Sequence, residues 1–332
     1  PFEKKLHTRT PEGIELKPLY VKGAKPPCAC RMQGAGQGTF ARSRTALANT
    51  AAGWEVAQEF RLASSAEVGA AIAAEHEVPY LAALVVLDRA SRRGLNPLNA
   101  PPEDIGYDGV SFATVQDAYE LLHALRFDRT SLHLDCGVSG VETLALLAAA
   151  AYKLGIGLDQ LKGSLGFSLF SNTIAGDMRY CDVENYYTLG AHLAKWCQTN
   201  APQFVPLAVD TRILVDAGAS AVEELGFGLA MAAEYMRGLM DRGLSANEAA
   251  SACLFRSGIG PNFFMEIAKF RALRETWAKV MEAFGVTGNH RAVLTHACTA
   301  RFDKSKLDSH TNMLRLTSQA FSAACGGVDV IT

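Results

Sequence analysis

The stretch TSLHLDCGVSGVETLALLAAAAY, residues 130–152, decides the fold class. Its first seven residues, 130–136, alternate apolar and polar side chains over the length of a β-strand. Ser139-Gly140-Val141-Glu142 then has the form of a capping box, and the apolar run at residues 144–152 continues it as a helix. A strand followed this closely by a helix forms one βα unit, so the stretch predicts an α/β protein.

The same unit repeats along the chain. We predict the other strands at residues 81–87, 109–114, 163–168, 204–210, 252–257, 292–298 and 328–332. Segments with apolar residues three and four positions apart lie between them, and Ser220-Ala221-Val222-Glu223 repeats the capping box. Pro261 and Gly285 mark the start and the end of a later helix. Eight strands alternating with helices predict a (β/α)8 TIM barrel, and an open doubly wound sheet is the alternative.

Residues 1–53 differ from the rest of the chain. Pro26-Pro27 and the glycine-rich residues 33–38 are turn formers without a sustained apolar period. We therefore expect an extended N-terminal arm at residues 1–53 and the barrel at residues 54–332. The last predicted strand ends at Thr332, so we expect a barrel truncated at its last strand.

The charge balance argues against two classes of partner. The 332 residues include 32 Lys and Arg and 34 Asp and Glu, which gives a formal net charge of −2. Proteins that bind nucleic acids or anionic membranes usually have a clear basic excess. The longest apolar run, residues 144–152, is about half as long as a segment that spans a bilayer. We expect no nucleic-acid partner and no membrane.

The cysteines predict a reducing, cytoplasmic location and no metal site. Of the eight cysteines, only Cys28 and Cys30 lie close together, and no second pair follows to complete a zinc site. Most of the others lie in apolar runs, where a free cysteine behaves as a small hydrophobic residue.

Functional side chains of a barrel come from the C-terminal ends of its strands and from the loops that follow. These positions carry Asp88, Asp135, Cys136, Ser168, Asp210, Arg212, Arg256, His296, Cys298 and Thr299. We expect Asp210 and Arg212 to form a structural ion pair. His296 lies within an apolar strand, which favours a buried histidine over a general base. We select Ser168, Arg212, Arg256 and His296 as candidate substrate-binding residues at the barrel mouth, and we assign no catalytic residue.

Motifs for common cofactors are missing. No Walker A, H-E-x-x-H or G-x-S-x-G pattern occurs, and the glycines at residues 34–38 have neither a preceding strand nor a following helix. A cobalamin-ligating D-x-H-x-x-G pattern at Asp308-Ser309-His310 would need glycine where Met313 stands. We therefore interpret Asp308 as the N-cap of the next helix.

Several blocks of the sequence resemble one known family. NFFMEIAKFRALR, residues 262–274, is similar to the N-F-F-M-E-I-A-K-x-R-A helix of the methylmalonyl-CoA mutase family. Further similar blocks are EGIELKPLY at 12–20, WEVAQE at 54–59, AGASAVEEL at 217–225, NMLR at 312–315 and GGVD at 326–329. The resemblance spans nearly the whole chain. It implies radical isomerisation of acyl-CoA thioesters, with adenosylcobalamin held between a barrel and a C-terminal cobalamin-binding domain.

The chain departs from the catalytic members of that family at three strand ends. Residues 210–219 read DTRILVDAGA, which puts Arg212 and Ile213 at the positions of the family's Tyr-His dipeptide. Isoleucine neither donates nor accepts a hydrogen bond, so the proton-handling role of that pair is missing. Gly166-Phe167-Ser168 replaces the Q-N-D after the fourth strand, and Cys298 replaces a glutamine after the seventh.

The resemblance and these losses together indicate the non-catalytic small subunit found in heterodimeric members of the family. This hypothesis predicts that a catalytic large subunit is the partner, that acyl-CoA is bound through that partner, and that adenosylcobalamin belongs to the assembly. The C-terminal cobalamin-binding domain, with its ligating histidine, is expected to be absent from this chain. The hypothesis also predicts bulky side chains along the barrel axis and an arm before Trp54 that wraps the neighbouring chain.

Two alternatives stay open at this point. One is a catalytic acyl-CoA mutase barrel of altered specificity whose cobalamin domain lies on a separate chain, with Arg212 or His296 replacing the missing pair. The other is a cobalamin-independent scaffold or chaperone of such mutases.

Overall fold

Eight parallel strands close into a barrel in this computed structural model, which describes residues 6–21, 34–46, 53–74, 82–125, 130–176 and 182–332. The barrel strands are β3 (Glu55–Phe60), β4 (Ala82–Val86), β5 (Ser131–Asp135), β6 (Gly163–Phe167), β7 (Phe204–Asp210), β8 (Cys253–Ile259), β9 (Leu294–Thr299) and β10 (Val330–Ile331). Strand β10 pairs with both β9 and β3, which closes the ring. The predicted (β/α)8 TIM barrel is confirmed, and the open sheet is excluded.

Helices surround the barrel and connect its strands. They are α1 (Ser65–Ala74), α2 (Arg89–Arg92), α3 (Val115–Ala124), α4 (Gly140–Leu154), α5 (Leu169–Ile174), α6 (Val183–Asn200), α7 (Arg212–Asp216), α8 (Ala221–Met240), α9 (Ala246–Ser251), α10 (Phe263–Ala283) and α11 (Thr311–Gly326). The main apolar core lies between this helical layer and the outer face of the strands, where Phe167 stacks on Tyr186 and Phe255 meets Trp277 edge to face. Among the described residues, no helix is long and apolar enough to cross a membrane.

One predicted strand is wrong and one real strand was not predicted. Residues 109–114 do not join the barrel, since Val110 and Ser111 make isolated bridges to Leu87 and Ser64 as the chain returns from the barrel mouth. The first barrel strand is instead β3. It escaped the pattern because Glu55 and the other polar residues of this strand interrupt the apolar alternation.

The two predicted capping boxes have different outcomes. At the start of α8 the Ser220 hydroxyl accepts from the Glu223 backbone amide, and the Glu223 carboxylate accepts from Ser220, as predicted. At the start of α4 the Ser139 hydroxyl makes no cap and donates instead to the Cys136 carbonyl, 2.8 Å away. That bond is available because the tight turn after β5 brings the carbonyl close.

The helix starts predicted near Pro261 and Asp308 are displaced by two or three residues. Helix α10 begins at Phe263, and the side chain of Asn262 caps it. Helix α11 begins at Thr311 with His310 at its N-cap position, so the predicted cap at Asp308 is wrong. The Asp308 carboxylate nevertheless accepts a hydrogen bond from the Thr311 amide at 3.3 Å.

Parts of the region before the barrel lie within the described residues. Residues 6–21 contain a short antiparallel pair, β1 (Thr8–Arg9) and β2 (Glu15–Leu16), and residues 34–46 form a series of turns. Pro26-Pro27, Cys28, Cys30 and Cys181 lie outside the described residues. The five cysteines within them are free thiols: Cys136, Cys197, Cys253, Cys298 and Cys325.

Arg274 of helix α10 ties this region to the end of the barrel. Its buried guanidinium donates to the carbonyls of Phe40 and Ala41, at 3.2 and 3.1 Å, and to those of Gly326 and Gly327. Burial lowers the pKa of Arg274 to about 10, so the group stays charged at neutral pH. One side chain thus holds residues 40 and 41 against the turn that follows α11.

Replacing Arg274 with methionine is expected to lower the free energy of unfolding by about 2 kcal/mol, because four carbonyls lose a charged donor. Amide hydrogen exchange in residues 34–46 should become at least ~10-fold faster. The matched control is Arg271→Met on the same helix, whose exposed guanidinium bonds, among the described residues, only to the Cys325 carbonyl. Equal exchange in the two variants would contradict this anchoring role.

Candidate functional site

A cleft of about 280 Å³ opens at the C-terminal ends of the strands, and we call it the mouth cleft. Charged side chains dominate its lining: Glu59, Arg61, Arg92, Asp108, Asp135, Asp210, Arg212, Asp216 and Arg301. In a barrel this end is the one that carries function.

Arg212 is the centre of an ion-pair network in the mouth cleft. Its guanidinium makes three hydrogen bonds to Asp210, the shortest from Nη2 to Oδ2 at 2.6 Å, and a fourth to Asp135 Oδ2 at 2.8 Å. The predicted pairing of Asp210 with Arg212 is confirmed. Burial opposes the charge on Arg212, but the two carboxylates outweigh it and hold the pKa of Arg212 well above its usual value.

The pKa of Asp135 is shifted in the opposite direction to that of Arg212. Burial alone would raise the pKa of Asp135, but Arg212, Arg92 and Arg256 hold it well below its usual range. Asp135 and Arg212 are therefore both charged at neutral pH. Neither is poised to exchange a proton near pH 7.

Below the mouth cleft, four buried polar side chains occupy the barrel axis, and we call them the bore cluster: His133, Ser164, Arg256 and His296. The imidazoles of His133 and His296 lie 4.8 Å apart between ring centres. Ser164 Oγ is 2.8 Å from Nδ1 of His133 and 3.4 Å from Nη2 of Arg256. These contacts join strands β5, β6, β8 and β9 across the axis.

A glycine makes room for Arg256 in this cluster. Gly166 of β6 has a φ of 73°, in the left-handed region that favours glycine. A Cβ there would lie 2.1 Å from the Leu134 carbonyl and 3.1 Å from Nη1 of Arg256. The same carbonyl accepts a hydrogen bond from Nη2 of Arg256 at 3.0 Å.

Both imidazoles are held in the neutral form. Burial lowers the pKa of His133, with a further contribution from Arg256. Burial lowers the pKa of His296 well below its usual value, and the neighbouring His133 and the charges on Arg256 and Arg212 act in the same direction.

A second cavity, of about 780 Å³, opens at the opposite end of the barrel. His133 lines this lower cavity, while Asp135 and Asp210 line the mouth cleft above. Ser164, Arg256 and His296 line neither of the two. The bore cluster therefore separates the two cavities.

The four candidate residues do not lie together. Arg212 lines the mouth cleft, whereas Arg256 and His296 lie beneath it in the bore cluster. Ser168 is buried at the start of α5, where its hydroxyl accepts a 2.6 Å bond from Ser171. Ser171, not Ser168, lines the cleft.

Two arginines and an acid at the rim of the cleft were missed by sequence reasoning. Glu59 lies near the end of β3 and Arg61 directly follows it, and because this strand was not predicted, no strand end pointed to them. Arg301 was missed because it lies two residues beyond the end of β9. An assignment of residues 55–60 as a strand would have placed Glu59 at a strand end.

A buried ion cluster lies next to the strand ends that form the mouth cleft. Nζ of Lys269 lies 2.6 Å from carboxylate oxygens of both Glu224 and Glu266, and all three side chains are buried. Glu224 also accepts hydrogen bonds from the Thr211 hydroxyl at 2.8 Å and from the Gly258 amide at 3.0 Å. Thr211 directly precedes Arg212, so this cluster fixes the backbone on which the ion-pair network is built.

Comparisons with known proteins agree on one family. Residues 9–332 match the family described as methylmalonyl-CoA mutase. A methylmalonyl-CoA mutase of Escherichia coli (strain K12) is 26% identical over 321 residues, which cover 96% of this chain and 45% of that protein. The methylmalonyl-CoA mutase small subunit of Porphyromonas gingivalis is 30% identical over 336 residues, which cover 100% of this chain and 50% of that protein.

A methylmalonyl-CoA mutase small subunit of Streptomyces virginiae is 28% identical over 330 residues, covering 99% of this chain and 49% of that protein. The chain thus spans about half the length of the curated relatives that it matches.

Proposed function

Because the chain belongs to the methylmalonyl-CoA mutase family, we propose that it acts as the non-catalytic small subunit of such a mutase. In this role it pairs with a catalytic large subunit in a heterodimer, in the cytoplasm. The large subunit carries out the adenosylcobalamin-dependent isomerisation of (R)-methylmalonyl-CoA and succinyl-CoA, and acyl-CoA is bound through that partner. This chain contributes a folded barrel and an interface.

The observation that carries the proposal is the bore cluster. An extended thioester that runs along the barrel axis needs a continuous passage, and here Arg256 and two imidazoles separate the cavities at the two ends. Arg256 and His296 are almost fully buried and are held by contacts to several strands. Moving them aside would leave a guanidinium without its partners inside the protein, which is costly.

The catalytic alternative needs Arg212 or His296 to replace the missing Tyr-His pair. Arg212 is held between two carboxylates that keep it charged, so it does not donate a proton. His296 lies below the cleft, and its Nε2 is already bonded to Thr332 Oγ1 at 2.8 Å. Neither group fits that role.

The described residues also do not fit adenosylcobalamin. No histidine in the described part of the chain lines the mouth cleft. His310 lies in a pattern whose required glycine is Met313. We therefore assign the cofactor to the assembly and derive no step through it in this chain.

Titration calorimetry with methylmalonyl-CoA tests the proposal directly. We expect no saturable heat with this chain, that is, a Kd weaker than about 1 mM. The same titration into the catalytic large subunit is the positive control. Micromolar binding to this chain, about −8 kcal/mol, would contradict the proposal and favour the catalytic alternative.

The partner is tested separately by gel filtration. Mixed with a catalytic large subunit of the heterodimeric type, the chain should elute as a one-to-one complex. Separate elution of the two chains at micromolar concentration would exclude the role of a partner subunit.

A further inference from the structure

A chain of ion pairs and hydrogen bonds runs around the rim of the mouth cleft, and we call it the rim chain: Asp108, Arg61, Glu59, Arg301 and Asp216. Arg61 donates to Asp108 Oδ2 at 2.9 Å and to Glu59 Oε1 at 2.6 Å. Arg301 donates to both oxygens of Glu59, at 2.9 and 3.2 Å. The backbone amide of Arg301 donates to Asp216 Oδ1 at 2.7 Å.

The rim chain joins segments that are distant in sequence. Asp108 lies in the long connection between β4 and α3, and Glu59 and Arg61 lie at the end of β3. Arg301 lies in the loop after β9, and Asp216 lies in α7, which follows β7. Glu59 is the central member, because it accepts from both arginines. It is also the last residue of the WEVAQE block, for which the proposed function gives no role.

The geometry does not suit the capture of an anionic ligand. Arg61, Arg212 and Arg301 already donate to carboxylates of the protein, and Arg92 also has a partner. A ligand carboxylate or phosphate would have to displace an existing partner, because each described arginine that lines the cleft already has one.

The pairs of the rim chain are nevertheless easy to separate. The side chains of Asp108 and Arg301 are 56% and 54% exposed, and pairs this exposed contribute little individually. Asp108 also has a φ of 52°, a left-handed conformation that is uncommon for a residue other than glycine. Release of Arg61 would free this segment to move.

We propose that the rim chain is a latch that holds the loops after β3, β4, β7 and β9 together over the mouth cleft, with Glu59 as its central residue. Opening the latch exposes the floor of the cleft. Cys298 lies on this floor and is 7% exposed in the structure. The proposal concerns access to the cleft and does not depend on the proposed partner or reaction.

The test is the rate at which an excess of N-ethylmaleimide alkylates each cysteine, followed by mass spectrometry of peptides. In Glu59→Gln, which removes the charge that both arginines share, we expect alkylation of Cys298 to become about fivefold faster. Two other cysteines are internal controls: the exposed Cys325 and the buried Cys136 should keep their wild-type alkylation rates. The matched control variant is Glu282→Gln, which breaks the exposed pair with Arg291 at the other end of the barrel.

A second variant keeps the test decisive if Glu59→Gln does not fold. Asp108→Asn removes the outer end of the rim chain, and asparagine tolerates the left-handed conformation at this position. It should accelerate alkylation of Cys298 in the same way. An unchanged Cys298 rate in the folded variants, or an equal acceleration at Cys136, would overturn the latch.

Discussion

Replacing Lys269 with methionine is expected to lower the free energy of unfolding by about 3–5 kcal/mol, the largest effect that we predict for a single substitution. The Nζ atom lies 2.6 Å from both Glu224 and Glu266, and it donates to the Gly258 carbonyl at 2.8 Å. Methionine has a similar length but no charge, so two buried carboxylates would face each other without a cation. Urea unfolding of the two proteins measures the difference.

The loss cannot be relieved by moving Glu224 towards water. Its other contacts, from the Thr211 hydroxyl and the Gly258 amide, hold it in place between α8 and β8. Burial already raises the pKa of Glu266, with Lys269 and the backbone opposing that shift. Without Lys269 this pKa should rise further, and Glu266 is expected to take up a proton.

The matched control is Lys279→Met on the same helix, where the exposed lysine pairs with Glu275 at 2.9 Å. That change should cost about 0.5 kcal/mol or less. Combining Lys269→Met with Glu224→Gln should restore part of the stability, since only one carboxylate then lacks a partner. A loss below about 1 kcal/mol in Lys269→Met would mean that the cluster is unimportant.

This cluster also marks where sequence reasoning stops. The apolar stripe at residues 263–284 correctly predicts helix α10, because periodicity is a local property. Glu266 and Lys269 are buried on the same helix, and their partner Glu224 lies on α8, 45 residues away from Lys269. No local pattern connects α8 to α10, so the pairing appears only when the helices pack.

The prediction of the strands has the same limit, because it also relies on local sequence patterns. Seven of the eight were predicted near their observed bounds, since each is a short apolar run followed by turn residues. Strand β3 was missed because Glu55 faces the lower cavity and Glu59 faces the mouth cleft, so polar residues stand at inward positions. The interior of this barrel is polar at both ends, which reverses the pattern that strand prediction relies on.

Within the candidate site, contacts between near neighbours were predicted and contacts across the barrel were not. Asp210 and Arg212 are only two positions apart in the sequence, so their ion pair could be predicted locally. The third member of that network, Asp135, lies 77 residues away from Arg212 on another strand, and ring closure brings it within 2.8 Å. The position of His133 beside His296 depends equally on barrel closure.

The bore cluster should make the protein sensitive to mild acid. Between about pH 6.5 and pH 5 we expect the free energy of unfolding to fall by about 3 kcal/mol. Burial holds the pKa values of His133 and His296 below the usual 6.5, and Arg256 lowers both further, while Glu55 partly opposes the shift at His133. The unfolded chain takes up protons on both imidazoles in this range and the folded chain takes up fewer, so stability falls as the pH falls.

Each histidine that binds a proton only when unfolded contributes about 1.4 kcal/mol per pH unit below its unfolded pKa. The range ends at about pH 5 because unfolded carboxyl groups begin to titrate below it. Urea unfolding at several pH values gives the slope. The double variant His133→Gln with His296→Gln removes both groups, so its stability should change by less than about 1 kcal/mol over the same range.

His192→Gln is the matched control, because it replaces an exposed histidine of α6 and leaves the bore cluster intact. The test compares how the free energy of unfolding changes with pH. The double variant is also expected to be less stable at neutral pH, and that difference does not enter the comparison. If wild type and double variant lost stability equally between pH 6.5 and pH 5, the acid sensitivity would have another source, and the two imidazoles would bind protons equally in the folded and the unfolded chain. Protonation of both imidazoles beside Arg256 would bring three cations together, and the carboxylates that face them, Glu55 at His133 and Asp210 at Arg256, are each 3.7 Å away.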